Sequence, residues 1–136
     1  MAALESLTVA RGRTVGAAAA VASVCAWPVV GSDASFEIAM NVLVTTATTH
    51  AFTGQCTYTD EGNTARTVTM AFRLVGDTTA LVSSIANGNG TVPYNGVSQF
   101  IRAKAGTTIT LLTQAAGTYT TVAYNVEGFI RQLPPY

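Results

Sequence analysis

The sequence predicts an all-β protein, a sandwich of antiparallel strands, and three observations carry that prediction. Apolar and polar residues alternate with period two over several stretches, the pattern of strands buried on one side. Turn signals rich in Gly, Asn, Asp and Pro interrupt these stretches at regular spacing, with no helical pattern between them. Threonine is the compositional outlier, with 22 residues; it is β-branched, favours strands, and gives an outward face polarity without charge.

The stretches follow in order. Residues 1–35 differ from the rest, with Arg11 and Arg13, an Ala-rich run from Val15 to Cys25, and Trp27-Pro28-Val29-Val30-Gly31. The basic start, apolar middle and Ser32-Asp33-Ala34 resemble a signal peptide, but Glu5 sits in the basic region. The apolar run is roughly 16 residues, short of the ~20 that span a bilayer. The expected structure is an extended N-terminal arm lying on a partner or a neighbouring subunit. From Ser35 the pattern becomes strands. Phe36, Ile38, Met40, Val42 and Val44 alternate with Glu37, Ala39, Asn41 and Leu43. Phe52, Cys56 and Tyr58 alternate with Thr53, Gln55, Thr57 and Thr59, and Asp60-Glu61-Gly62-Asn63 makes a turn.

Thr64–Val75 reads as one strand with Val68, Met70, Phe72 and Leu74 inward. Leu81–Ile85 is a short strand, Asn87-Gly88-Asn89-Gly90 a turn, and Val92–Val97 an edge segment marked by Pro93. Gln99–Lys104 and Ile109–Thr113 are strands joined by the Ala105-Gly106-Thr107 turn. The last stretch, Gly117–Leu133, places Tyr124, Val126 and Ile130 on one face and Asn125, Glu127, Phe129 and Arg131 on the other, and Pro134-Pro135 stops it. About eight strands so spaced predict a jelly roll over residues 36–136, with an immunoglobulin-like sandwich as the alternative.

Composition narrows the function. The chain has 136 residues, enough for one domain with a real core, and its formal net charge is zero. Only 10% of residues are charged, against roughly 25% in ordinary soluble domains. Such a surface is weakly defended against association and suits a protein that lives in an assembly. Lys104 and scattered arginines make no basic patch, which argues against nucleic acid as a partner.

Catalytic chemistry finds little support. His50 is the only histidine, with no nucleophile motif around it. Asp60, Glu61 and Asn63 could offer oxygens to calcium, but a solvated turn explains them, and no metal or cofactor is expected. Asn89-Gly90-Thr91 is formally a glycosylation sequon, and the turn role accounts for it. Cys25 and Cys56 are expected as buried free thiols, with a disulfide between them as the alternative.

Four motifs carry a family resemblance: Phe36-Glu37-Ile38…Asn41-Val42, Cys56-Thr57-Tyr58-Thr59-Asp60-Glu61-Gly62-Asn63-Thr64-Ala65-Arg66, Ile101-Arg102-Ala103-Lys104-Ala105-Gly106-Thr107, and Tyr124-Asn125-Val126-Glu127-Gly128. Across residues 36–133 they resemble small virion proteins of tailed bacteriophages. The late AGTTITL pattern is also similar to trimeric jelly rolls of the complement and tumour-necrosis-factor kind. The resemblance implies a non-enzymatic structural role on a virion and does not choose the location; a rigid β body with an extended apolar arm and low charge points to the capsid exterior, where the chain is expected to cement or decorate neighbouring major capsid protein subunits. A homo-oligomer is expected, a dimer before a trimer, since twofold contacts are commonest and icosahedral lattices offer twofold sites; no membrane and no nucleic acid are expected as partners. The alternatives are a receptor- or glycan-binding head or tail fibre domain, and a secreted bacterial β-sandwich that keeps its leader. The residues expected to meet a partner are Arg11, Arg13, Val15, Val21, Trp27, Val29 and Val30 in the arm, and Glu127, Phe129 and Arg131 on the last strand.

Overall fold

The computed structural model of this chain describes residues 7–46, 50–75, 85–88, 93–115 and 123–134. They form eleven strands: β1 (Leu7–Ala17), β2 (Cys25–Pro28), β3 (Ala34–Thr46), β4 (His50–Thr59), β5 (Ala65–Thr69), β6 (Phe72–Leu74), β7 (Ile85–Gly88), β8 (Pro93–Gly96), β9 (Gln99–Ala103), β10 (Thr108–Ala115) and β11 (Ala123–Gln132). A six-stranded sheet runs β1-β11-β3-β8-β6, with β9 also on β3. A five-stranded sheet runs β2-β10-β4-β5, with β7 also on β4. All pairings are antiparallel, and the two sheets pack face to face. This is the β-sandwich that the alternation predicts.

The longest strands organise the core. Phe36, Ile38, Met40, Val42 and Val44 of β3 are buried, and Tyr124, Val126 and Ile130 of β11 join them from the neighbouring strand. Ile109, Leu111 and Cys56 meet them from the second sheet. Burying each such side chain stabilises the fold by roughly 1.5–3 kcal/mol before entropy is counted. The partition of β11 into inward and outward residues is the one its sequence predicts, and residues 117–122 of that stretch lie outside the described set.

Three expectations are corrected. Thr64–Val75 is not one strand. It divides into β5 in one sheet and β6 in the other, and the chain crosses at Met70-Ala71. Met70 and Phe72 are both fully buried at this corner, so one apolar alternation serves two sheets. The Val92–Val97 segment is not an edge, because β8 lies between β3 and β6. Asn87 and Gly88 belong to β7 rather than to a turn, and Asn89 and Gly90 lie outside the described residues.

The largest correction concerns the N-terminal segment. From Leu7 onward it is not an arm outside the body. β1 pairs along β11, β2 pairs along β10, and Val24, Cys25, Val29 and Ala34 are buried in the common core. The two sheets close over one another at this side. A Cβ on Gly12 would run into the Val24 carbonyl oxygen, so only glycine lets β1 pass beneath the second sheet's edge.

A hydrogen-bond chain fixes the link between β1 and β2. Tyr124 Oη lies 2.5 Å from the Ala19 carbonyl oxygen and 2.9 Å from Thr113 Oγ1. The carbonyl can only accept, so Tyr124 donates to it and Thr113 donates to Tyr124. Thr113 Oγ1 in turn accepts from Val21 N at 2.9 Å. The segment expected to reach out to a neighbour is therefore bolted to the buried side chains of β10 and β11.

Both cysteines are free and buried. They flank Leu111, Cys25 on β2 and Cys56 on β4. Two strand spacings, roughly 9–10 Å, exceed the ~7 Å limit between the Cα atoms of a bridge. Among the described residues no helix is long and apolar enough to cross a membrane.

Candidate functional site

The two outer faces of the sandwich differ in chemistry, because period-two alternation sends a different residue set outward from each sheet. On the β2-β10-β4-β5 sheet the outward positions are mainly Thr and Gln. Thr110, Thr57 and Thr67 form one row across three strands, and Leu112, Gln55 and Thr69 occupy the next positions outward. On the β1-β11-β3-β8-β6 sheet the outward positions carry arginine, glutamate, asparagine and phenylalanine.

Cross-strand register arranges these into rows roughly 7 Å apart along the strands. In the first row Arg131 stands opposite Glu37, which stands opposite Phe100. In the second, Arg11 stands opposite Phe129, which stands opposite Ala39. In the third, Arg13 is opposite Glu127 and Glu127 is opposite Asn41. Asn95, one step on from the Val42–Tyr94 pair, stands beside Asn41, and Arg73 pairs with Asn95. The third row thus spans five strands. The fourth row holds Asn125, Leu43 and Pro93.

Phe129 is the anchor of the first two rows. The Arg131 guanidinium lies over its ring at 4.5 Å from the centroid, a cation–π contact of about 0.5–1 kcal/mol at an exposed site. Arg131 also reaches Glu37 at 3.2 Å, and Arg11 reaches Glu127 at 3.6 Å. The second of these pairs is well exposed, so its charges remain available to a partner that displaces water. Phe100 is 68% exposed beside them. A depression of about 270 Å³ is lined by Arg11, Glu127, Phe129 and Arg131.

Five of the sequence-selected residues therefore meet on one face: Arg11, Arg13, Glu127, Phe129 and Arg131. The other five do not. Val15 is exposed at the far end of β1, and Val30 is exposed beyond β2. Val21 and Trp27 pack against the core, and Val29 is only 2% exposed. Val29 is a core residue, and Val21 and Trp27 are partly buried against that core. The sequence reading missed the contribution of Asn41, Asn95, Arg73 and Phe100 to this face. Alternation alone marks Asn41 as outward, but only the strand register shows that it stands in one row with Arg13 and Arg73.

The Asp60–Asn63 turn is spoken for by cations. Asp60 accepts from Thr64 N at 2.9 Å and from Arg66 Nε at 2.6 Å. Glu61 pairs with Arg102 and Asn63 with Lys104, which ties the β4–β5 hairpin to β9 in the other sheet. The Thr64 backbone N–H, then Arg66, hold the Asp60 carboxyl below its ordinary range. Among the described residues no three His, Cys, Asp or Glu side chains gather as metal ligands. His50 lies in β4, where its backbone pairs with Gly88.

Comparison with protein-family models, with curated proteins and with solved structures returns no match to this chain.

Proposed function

We propose that this chain is a structural protein of a tailed-phage virion, which sits on the capsid exterior and cements or decorates neighbouring major capsid protein subunits. One observation carries the reading. Arg11 and Arg13, selected at one end of the chain, and Glu127, Phe129 and Arg131, selected at the other, come together on a single solvent-facing sheet surface. Aromatic and arginine side chains on a rigid sheet are the residues that anchor protein interfaces. The motif resemblance and the low charge support the same reading.

The strand pairing supports a jelly-roll interpretation of the sandwich. β1 pairs with β11, β2 with β10, β3 with β9 and β4 with β5. First with last and second with next-to-last is the nesting of a long hairpin rolled into two sheets, with β6, β7 and β8 as additions. In this reading the contact with the shell is made by the sheet, not by an arm. A homodimer, with a trimer as the alternative, uses the edge near β6, where Leu74, Val75 and Val97 are exposed. Sedimentation equilibrium of the chain and of Val75→Asp tests this; an unchanged assembly state in the variant removes that edge from the proposal.

The docking experiment compares the two faces. Phe129→Glu and Arg131→Glu are mixed with phage heads stripped of this protein, beside Thr57→Glu and Thr67→Glu on the opposite sheet, and co-sedimentation is measured. The first pair should lose attachment at least tenfold while the second retains it. Attachment by all four variants, or loss only in the threonine pair, contradicts the reading.

A further inference from the structure

The third and fourth rows of the arginine-bearing face form a second feature, which adjoins the Phe129 patch and shares Asn41 and Glu127 with it. A depression of about 310 Å³ lies over Arg13, Asn41, Leu43, Pro93, Asn95 and Asn125. That volume is at the lower limit of small-ligand sites, roughly 300 Å³. Asn125 lies four residues from Phe129 along β11, roughly 13 Å away.

Two asparagine side chains here are held by the backbone. Asn41 Oδ1 accepts from Gly96 N at 2.9 Å, and Asn125 Oδ1 accepts from Gly16 N at 3.0 Å. A backbone N–H can only donate, so in both residues the carbonyl oxygen is committed and the amide nitrogen is left with its two N–H donors. Gly96 is required for the first of these, because a Cβ there would strike the Met40 carbonyl oxygen. Arg13 has no ion-pair partner among the described residues. Arg73, at the far end of the row, has its Nε buried without a hydrogen-bond partner among them. The depression thus presents the amide donors of Asn41 and Asn125, the charge of Arg13, acceptors in Glu127 and the Asn95 amide, and an apolar floor of Leu43, which is 43% exposed, and Pro93.

We infer that this depression binds a carbohydrate that carries a carboxylate. The sugar ring lies on Leu43 and Pro93 through its C–H face. The amide groups of Asn41 and Asn125 donate to ring hydroxyls, Glu127 accepts from one, and Arg13 takes the carboxylate. Arg13 gives a carboxylate-bearing sugar a charge-assisted contact that a neutral sugar cannot make. The opening is shallow and mixes polar and apolar surface, which suits a sugar ring better than an extended peptide seeking a strand partner or deep side-chain pockets. The inference goes beyond the capsid-docking proposal and does not depend on it, since the intact chain free of any shell should bind the sugar.

The test is ligand-observed NMR titration of the full chain with sialyllactose, with lactose as the neutral control. An open site of this kind should bind with a dissociation constant on the order of 1 mM. Sialyllactose and a uronate-terminated disaccharide should both bind at least tenfold more tightly than lactose. Arg13→Gln should weaken the acidic sugars about tenfold, because a charge-assisted pair is lost, while lactose is unaffected. The side-chain NH₂ resonances of Asn41 and Asn125 should shift in the parent protein, a readout that needs no variant to fold. Equal affinity for lactose and sialyllactose overturns the inference, as does unchanged binding by Arg13→Gln. Absence of binding at tens of millimolar, or tighter binding of a short acidic peptide than of either acidic sugar, overturns it too.

Discussion

Replacing Tyr124 by Phe removes one oxygen from the centre of the structure and tests whether the N-terminal segment belongs to the body. Tyr124 is fully buried, and its hydroxyl links Thr113 to the Ala19 carbonyl. Two consequences follow from the direction of these bonds. The Ala19 carbonyl lies in an exposed segment and can be rehydrated, so its loss costs only the net value of one hydrogen bond, about 1 kcal/mol. Thr113 as a residue is 1% exposed and its hydroxyl loses its acceptor, which costs a further ~1–2 kcal/mol as an unsatisfied buried donor. The sum is about 2–3 kcal/mol. For a domain of this size each kcal/mol moves Tm by about 3–4 °C, so the expected drop is about 6–12 °C. Thermal and urea denaturation measure it. Thr113→Val removes the would-be orphan, so the double variant should be more stable than the two single losses added together by ~1 kcal/mol or more. Amide exchange at Val21, whose N–H bonds to Thr113 Oγ1, should quicken in either single variant. A Tyr124→Phe protein within 0.5 kcal/mol of the parent, with Val21 exchange unchanged, refutes the reasoning about the bolted segment.

Other outcomes follow from the same structure. Burial pushes the Cys25 thiol up to about 11 and the Cys56 thiol up to about 12, so neither should react with a thiol reagent at neutral pH until the chain unfolds. In the unfolded chain these thiols ionise near the ordinary value of ~8.5, so stability should be full below that pH and fall as it rises toward 11–12; Cys56→Ser should flatten this alkaline loss in a pH series of melts. Asp60 has the opposite sign. Its depressed carboxyl contributes stability above the ordinary ~4 that is lost as pH falls further, so Asp60→Asn should be less stable than the parent at pH 7 and the gap should close in acid. Gly12→Val places carbon against the Val24 carbonyl and should destabilise by about 1–3 kcal/mol or more in urea. An unaffected Gly12→Val would mean the sheets do not close there.

Much of the fold is legible in the sequence because strands expose their period directly. The inward and outward sets of β3 and β11 follow from alternation, and both lie in the core as those patterns require. Alternation does not state which sheet a residue joins. Val68, Met70 and Phe72 keep one rhythm while the chain changes sheet between β5 and β6. It also does not distinguish a loose apolar arm from a short strand packed at an edge. The Ala-rich run from Val15 to Cys25 offers few large side chains, so its tie to the body comes from Tyr124 and Thr113, more than ninety positions away along the chain. The candidate face shows the same limit. Phe129 and Arg131 can be picked as outward from their own strand, but their neighbourhood with Arg11 depends on β1 lying against β11.

Hydroxyl-radical footprinting of the chain, free and mixed with the phage heads proposed to carry it, tests the central claim most directly. That claim is that the arginine- and phenylalanine-bearing sheet face is the surface at work. Phe129 and Phe100 lie on that face, and Leu112 lies on the threonine-rich face opposite. The account predicts that the heads protect Phe129 and Phe100 and leave Leu112 unchanged. Protection of Leu112 with Phe129 still reactive would contradict it.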